Sequence, residues 1–366
     1  MTVLPVAAGG ASHGGGPAEW WVMPAAAAVA LALDLVAGEP PAALHPVRWV
    51  GRVYRFLERR APQGRQAGLL FGAAVAGGVP AAAGLAAFAL ESVATERLPG
   101  WLAAVVVGVL LKPALAVRAL LEAGQQVHDA LAAGHLPRAR QLAGYHLMSR
   151  PVQQLDASQV ASAAVESLAE NVGDSVVAPL WWWALGGLAG AWGFRALNTL
   201  DAMWGYHGRY EYLGKAAARL DDVAAWVPAR LAAVLVLASA PLRPAAQHAA
   251  RLRQEARRTE SPNAGWPMAA MAVVTGLRLE KVGAYVLHAR GARPCAASVA
   301  RAITLCRRSC LLGFVLAAAL KAACASLPHL APFLAWASLG AGTLGTACHV
   351  RRWRAAKACT AGWEKP

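Results

Sequence analysis

The chain has 366 residues, of which 57% are hydrophobic and only 15% charged, with a net charge of +15. A soluble globular domain carries about a quarter charged residues, so the composition points to an all-α, polytopic helical membrane protein. The cations stand at the ends of apolar runs, as cytoplasmic loops of membrane proteins require, and do not form a stripe interleaved with aromatics. That distribution excludes nucleic acid as a partner and favours membrane lipid headgroups or phosphorylated substrates.

Residues 1–19, rich in Gly, Ala and Ser with no Lys or Arg, are expected to form a flexible tail without the basic region of a signal peptide. The single helical membrane domain is expected over 20–350, with its site between 150 and 270, and a basic tail over 351–366. Its first span is Trp20 to Gly38, stopped by Gly38-Glu39-Pro40-Pro41. Arg48, Arg52, Arg55 and Arg59 follow at steps of four, three and four, the spacing of one helix face. They predict a basic interfacial helix on anionic lipid, with His45 and Arg48 as candidates to face a phosphate.

Residues 67–90 and 100–117 predict a helical hairpin, continued beyond Lys112 as an amphipathic segment to about Ala133. Asp156-Ala-Ser-Gln159 has the form of a capping box at a helix start. The six cysteines all fall in the last quarter without a CxxC pair and read as small apolar fillers. Two further membrane helices are predicted at about 311–326 and 330–348.

The stretch from Glu166 to Arg230 breaks this apolar pattern, holding seven of the twenty acidic residues. Glu166, Glu170 and Asp174 are spaced four apart and fall on one helix face, where like charges repel unless a cation offsets them. Gly173 and Pro179 predict a break in that helix near Asp174. Val176 to Trp192 is either a membrane helix or a re-entrant segment. Arg195, Asn198 and Asp201 share a second face, and Arg219, Asp222, Trp226 and Arg230 a third. Because the flanking loops are basic, 176–192 and 223–240 must both cross or both fail to cross. The second arrangement is preferred, since it leaves the polar stretch on the cytoplasmic side.

Ionisable groups inside membrane sequence cost about 2.5–3.5 kcal/mol each on insertion scales and default to functional readings. An enzyme would use the carboxylates to hold Mg2+ and the arginines to hold phosphate. A transporter would use them as a proton or cation path. Transporters usually carry inverted repeats, and no second copy of the acidic stretch exists here, which favours the enzyme. No nucleotide-binding P-loop, HExxH, GxSxG or kinase signature is present.

Glu-Ser-Leu-Ala-Glu-Asn (166–171), Val-Ala-Pro-Leu (177–180), Arg-Ala-Leu-Asn-Thr-Leu-Asp-Ala-Met (195–203), Ala-Ala-Arg-Leu-Asp-Asp (217–222) and Val-Pro-Ala-Arg-Leu (227–231) resemble the central signature of the adenosylcobinamide-phosphate synthases, the CobD/CbiB family of cobalamin biosynthesis. Gly-Glu-Pro-Pro to His-Pro-Val-Arg (38–48) and Ser-Pro-Asn-Ala-Gly-Trp-Pro-Met (261–268) fit the same family in the same order. The chain departs from the pattern at Glu39, usually Asp, at Arg150-Pro151-Val152, usually Arg-Asp-Thr, and at Val172-Gly173-Asp174-Ser175, usually Thr-Val-Asp-Gly. The loop from Gly205 to Tyr210 is also about one residue short.

The resemblance implies ATP-dependent amide ligation of a corrinoid substrate, adenosylcobyric acid, with an amino-alcohol phosphate such as (R)-1-aminopropan-2-ol phosphate. It further implies an inner-membrane location with the site facing the cytoplasm, and association with other late cobalamin enzymes. On that basis Glu166, Glu170, Asp174 and Asp201 are catalytic candidates. Asp221 and Asp222 are candidates for Mg2+. His45, Arg48, Asn171, Arg195, Asn198, Arg209, Arg219 and Asn263 are candidates for substrate and phosphate binding. The alternatives are a transporter and a non-catalytic regulatory relative.

Overall fold

The computed structural model describes residues 20–148, 152–206, 208–241, 245–327 and 329–361. The tail expected over 1–19, the Arg150-Pro151 departure and the last five residues lie outside them. Among the described residues the architecture is helical, apart from one small hairpin. The N-terminal helices are α1 (Val22–Ala37), α2 (Pro46–Glu58), α3 (Arg65–Arg97), α4 (Gly100–Leu111), α5 (Val117–Ala132) and α6 (Leu136–His146). They are followed by α7 (Ala157–Val172), a π-helical turn (Gly173–Val177), α8 (Ala178–Trp204), α9 (Lys215–Ala224), α10 (Trp226–Ala238), α11 (Ala245–Ala256) and α12 (Gly265–Thr275). Strands β1 (Leu279–Lys281) and β2 (Tyr285–Leu287) then form an antiparallel hairpin before α13 (Ala296–Ser326) and α14 (Leu330–Ala361).

Among the described residues, three helical segments are long and apolar enough to cross a membrane: 65–97, 100–132 and 296–326. The outer surface of α3 is apolar, with Leu70, Leu85, Phe88 and Val93 exposed, while its Gly72 and Gly84 face inward. Where lipid replaces water, close backbone approach through small residues drives helix association. Gly108 of α4 shows this, since a Cβ there would strike the Ala26 carbonyl and Val29 of α1. Ala26 and Ala30 are accordingly fully buried. The alanine richness of the chain thus serves tight helix contacts.

Several local expectations hold. The capping box at Asp156 forms, with Asp156 accepting from the Gln159 amide and Gln159 accepting from that of Asp156. Others shift. The helix expected to end near 90 runs on to Arg97, so the connection is only Leu98-Pro99. The continuation past Lys112 is interrupted by a 3-10 turn at Lys112–Ala114, because Pro113 cannot donate within a helix. The span expected at 311–326 begins fifteen residues earlier, at Ala296. The one expected at 330–348 forms as α14, which is not among the three long apolar helices. The break expected near Asp174 is a π turn, so the chain stays helical from α7 into α8.

The segment that could either cross or re-enter does not cross as one rod. Gly186 leaves helical geometry and Gly187 has φ 60° and ψ −153°, a backbone state that only glycine adopts readily. The chain reverses there. Gly190 comes back against the Trp182 carbonyl, and Ala178 shares a core cluster with Phe194 and Leu197 from the returning arm. At 1.5 Å per residue the arm from Asp174 to Gly186 descends about 18 Å before turning. Glu91 of α3 accepts a hydrogen bond from the Leu188 amide, satisfying one orphan donor at the start of the returning arm. α3 packs against that arm, with Gly84 against the Ala189 carbonyl, and its Gly72 meets the Leu213 carbonyl in the loop that leads into α9. The hairpin so made returns Asp201 to the level of Asp174.

Candidate active site

The open end of this re-entrant hairpin is a cavity of about 590 Å³. Its acidic side gathers Glu170 from α7, Asp174 from the π turn, Asp201 from the returning arm of α8, and Asp221 and Asp222 from α9. Lys215 and Arg219 of α9 and Lys281 of β1 supply positive charge, and Tyr206, Tyr210 and Tyr285 supply hydroxyls. The π turn matters for this convergence. It inserts one residue into the helical repeat, which re-aims the following side chains.

All five carboxylates lie outside the three spans, and each resists ionisation. Burial pushes Asp174 up to about 8, reinforced by the charges of Glu170 and Asp201 and opposed by Arg195. Burial likewise raises Asp222 to about 7, with Asp201 adding to the rise and Arg219 and Arg230 opposing it. Asp201 is raised to about 6 by burial. Asp221 and Glu170 are also raised, chiefly by burial, with Lys281 opposing the rise at Glu170. Carboxylates that repel one another in a buried cluster are stabilised by a nearby cation.

Behind the lining lies a layer of supporting residues. Glu166 is buried one turn before Glu170 and accepts hydrogen bonds from Ser162 (2.9 Å) and the Tyr285 hydroxyl (2.8 Å). It therefore fixes a tyrosine of the wall and does not itself line the cavity. Asn171 donates to the Ser167 carbonyl and accepts from Ser175, bracing the π turn. Arg195 is partly buried, and the carboxylates acting on it are Glu39 and Asp174. Asn198 accepts from Arg195 and donates to Asp221, both at 3.4 Å. These residues form a relay of contacts one layer out from the cavity.

Arg219 and Asn263, two of the candidates named from the sequence, line the cavity. The Asn263 side-chain amide is already engaged, accepting from Arg230 at 2.6 Å and donating to the Asp222 carbonyl at 2.7 Å. Arg230 is in turn clamped between Trp226 and Trp266. The loop from 261 to 265 is thus tied to α9 and α10 beneath the carboxylates.

Three candidates lie apart from the cavity. His45 bonds Glu39 at 2.8 Å, and Glu39 also meets Lys112 at 3.0 Å, which in turn reaches the fully buried Asp34 at 3.3 Å. The larger acid at position 39 therefore stands at the exposed end of a charge network that runs through Lys112 to buried Asp34. Arg48 is exposed on α2. Arg209 is largely exposed and pairs with Glu58 at 3.2 Å, beside the cavity residue Tyr210.

Sequence patterns alone did not single out Lys215, Lys281 or Tyr285. A signal for the last two existed: Leu279, Lys281, Tyr285 and Leu287 flank Gly283 in the alternating pattern of a short hairpin. Gly283 takes φ 75° in the three-residue loop. The cavity consequently extends past residue 270, the limit expected for the site. Among the described residues no group of three or more His, Cys, Asp or Glu is arranged to hold a metal by itself.

A family profile described as CobD/Cbib protein matches residues 27–306. The chain is 37% identical over 298 residues to the cobalamin biosynthesis protein CobD of Rhodobacter capsulatus, covering 77% of this chain and 92% of that one. It is 41% identical over 266 residues to the probable cobalamin biosynthesis protein CobD of Pyrococcus abyssi, covering 72% and 86% respectively. The corresponding protein of Dehalococcoides mccartyi is 36% identical over 270 residues, covering 71% of this chain and 84% of its own. No solved structure matches the chain. With the matched region spanning the whole cavity and the hairpin that builds it, the chain belongs to the CobD/CbiB family.

Proposed function

We propose that this protein acts in cobalamin biosynthesis as an ATP-dependent ligase, joining adenosylcobyric acid to (R)-1-aminopropan-2-ol phosphate or a related amino-alcohol phosphate to give adenosylcobinamide phosphate. The supporting observation is one cavity that brings Glu170, Asp174, Asp201, Asp221 and Asp222 together with Lys215, Arg219 and Lys281. In this reading the corrinoid ring stays at the mouth and only its acid arm enters.

A carboxylate resists attack by an amine until it is activated. Transfer of the terminal phosphoryl group of ATP to the acid would release ADP and leave an acyl phosphate. The amine nitrogen then forms the amide bond, inorganic phosphate departs, and a carboxylate takes the proton from nitrogen. Glu170 and Asp201, both in the wall, are the residues assigned to accept it. Arg219, Lys215 and Lys281 would offset the charge on the transferring phosphoryl group and on the amino-alcohol phosphate.

The donor set suits Mg2+. Asp221 and Asp222 are adjacent hard oxygen ligands, and Mg2+ needs only one or two carboxylates beside phosphate oxygens and water. When bound it would neutralise phosphate charge. Arg195 and Asn198 orient Asp174 and Asp221 from behind, and Glu166 orients Tyr285.

The reading has the site open to the cytoplasm, where ATP is available, in a protein of the inner membrane. A Gly208→Cys variant should resist labelling by a membrane-impermeant thiol reagent added outside intact cells. Rapid labelling there would reverse the orientation.

The re-entrant hairpin and buried carboxylates also occur in transporters, which build sites from broken helices. One assay separates the two. Protein purified in detergent, given the corrinoid acid, the amino-alcohol phosphate and MgATP, should release amide product and ADP together, whereas a transporter would form neither. Glu170→Ala and Asp201→Ala should abolish turnover at unchanged membrane levels, and wild-type turnover in either would overturn the role assigned to that carboxylate.

A further inference from the structure

The cavity accounts for the polar stretch but not for α2, whose surface divides into three faces. At about 100° per residue, Gly51 and Tyr54 point inward, and both are buried. Tyr54 packs on Trp204 and donates to the Ala196 carbonyl at 2.9 Å, which fixes the helix across the returning arm of α8. Arg48, Arg52, Arg55 and Arg59 occupy a second face about 60° wide, and all four are exposed.

The third face carries Trp49, Val53 and Phe56, exposed at 44%, 44% and 54%. Arg60 lies over the Phe56 ring at 3.7 Å, adding a fifth cation at the boundary. Exposed aromatic and aliphatic side chains beside a row of arginines, on a helix that joins the short apolar α1 to α3, a helix long enough to span, match a membrane interface. Apolar groups there enter the acyl boundary while guanidinium groups meet phosphates.

We propose that α2 is a docking surface for anionic phospholipid headgroups, gripped by Arg48, Arg52, Arg55 and Arg59 with Trp49, Val53 and Phe56 seated among the acyl chains. Charge complementarity names the partner: five cations and no exposed acid lie along this edge. Glu58, at the end of the helix, is only partly exposed and is already held by Arg209 and by the Tyr210 hydroxyl at 2.7 Å. Through Glu58 the lipid-facing helix is fastened to the rim of the cavity, so headgroup binding also steadies Tyr210. This inference is independent of the reaction catalysed.

The test uses the full chain purified in detergent and titrated with short-chain phosphatidylglycerol, short-chain phosphatidylcholine and inorganic phosphate, with binding read by native mass spectrometry. Phosphatidylglycerol should bind at least about tenfold more tightly than phosphatidylcholine, since each arginine near an anionic headgroup contributes severalfold. That preference should shrink in high salt, and equimolar inorganic phosphate should not compete. The Arg52→Gln/Arg55→Gln/Arg59→Gln variant should lose the preference at an unchanged apparent Tm, and the corresponding triple lysine variant should keep it. Equal binding of the two lipids, a salt-insensitive preference, or competition by inorganic phosphate as strong as that of the lipid would overturn the proposal. So would a glutamine variant that still prefers phosphatidylglycerol.

Discussion

Asp222→Asn isolates the tension stored in the cavity. In the folded protein the carboxyl of Asp222 is raised from 3.8 to about 7, by burial first and then by Asp201. A group whose folded pKa lies above its unfolded value destabilises the protein when ionised. That cost is fully present above pH 7, declines as pH falls, and vanishes below about 4. A rise of this size corresponds to roughly 4 kcal/mol, an upper figure because the neighbouring carboxylates titrate together. Asparagine keeps the shape and removes the charge, while the Asp222 carbonyl that accepts from Asn263 is untouched. The variant should therefore unfold several degrees above wild type at pH 8, by an amount that shrinks towards nothing at pH 4.5. Intrinsic tryptophan fluorescence during thermal unfolding in detergent reads both. If the proposed Mg2+ site is right, MgATP should stabilise wild type at pH 8 and stabilise the variant much less, since the raised carboxylates are the groups that cation would satisfy. A variant less stable than wild type at pH 8, or a gain independent of pH, would refute the reasoning.

Gly187→Ala should destabilise the hairpin by about 2 kcal/mol or more, because a Cβ at φ 60° is strained and would strike the Glu91 carboxylate; limited proteolysis of the variant should open at the 178–204 segment. Glu91→Ala leaves the Leu188 amide without its acceptor in a buried setting, and should cost roughly 1–3 kcal/mol in an unfolding titration. Tyr285→Phe removes the hydroxyl that donates to Glu166. It should lower turnover while membrane levels stay normal, and Glu166→Gln, which still accepts, should be milder than Glu166→Ala. For Glu39, burial raises the pKa, but hydrogen bonds and charge from His45 and Lys112 outweigh it and leave the carboxyl below its usual value of 4.5. Its contribution to stability is present above that value and lost as pH falls through the lower folded pKa, so Glu39→Gln should flatten the acid limb of an unfolding curve.

Composition and periodicity were enough to read a helical membrane protein, because lipid leaves backbone groups no partners outside a helix and so forces long apolar runs. Charge spacing was equally direct for α2, where arginines four and three apart need only helical geometry to share a face. The ordered motifs from Glu166 to Arg230 marked the site region, and Glu170, Asp174, Asp201, Arg219, Asp221 and Asp222 do converge in one cavity. What periodicity could not do was sort lining residues from those behind them. Glu166 and Glu170 lie on one stripe, yet one turn of helix separates a residue buried against Ser162 from one that faces the cavity.

Only the tertiary structure decided whether 176–192 crosses or returns, since an apolar run of that length satisfies either path. The Gly186-Gly187 reversal, held by Glu91 from a helix nearly a hundred residues earlier, turns the segment back on itself as a hairpin. The same holds for Lys281 and Tyr285, which reach the site from a hairpin about sixty residues beyond α9. Local sequence determined each helix and each charged face through backbone geometry and the cost of burying charge. Which faces meet depends on contacts between distant segments, and no local pattern encodes those.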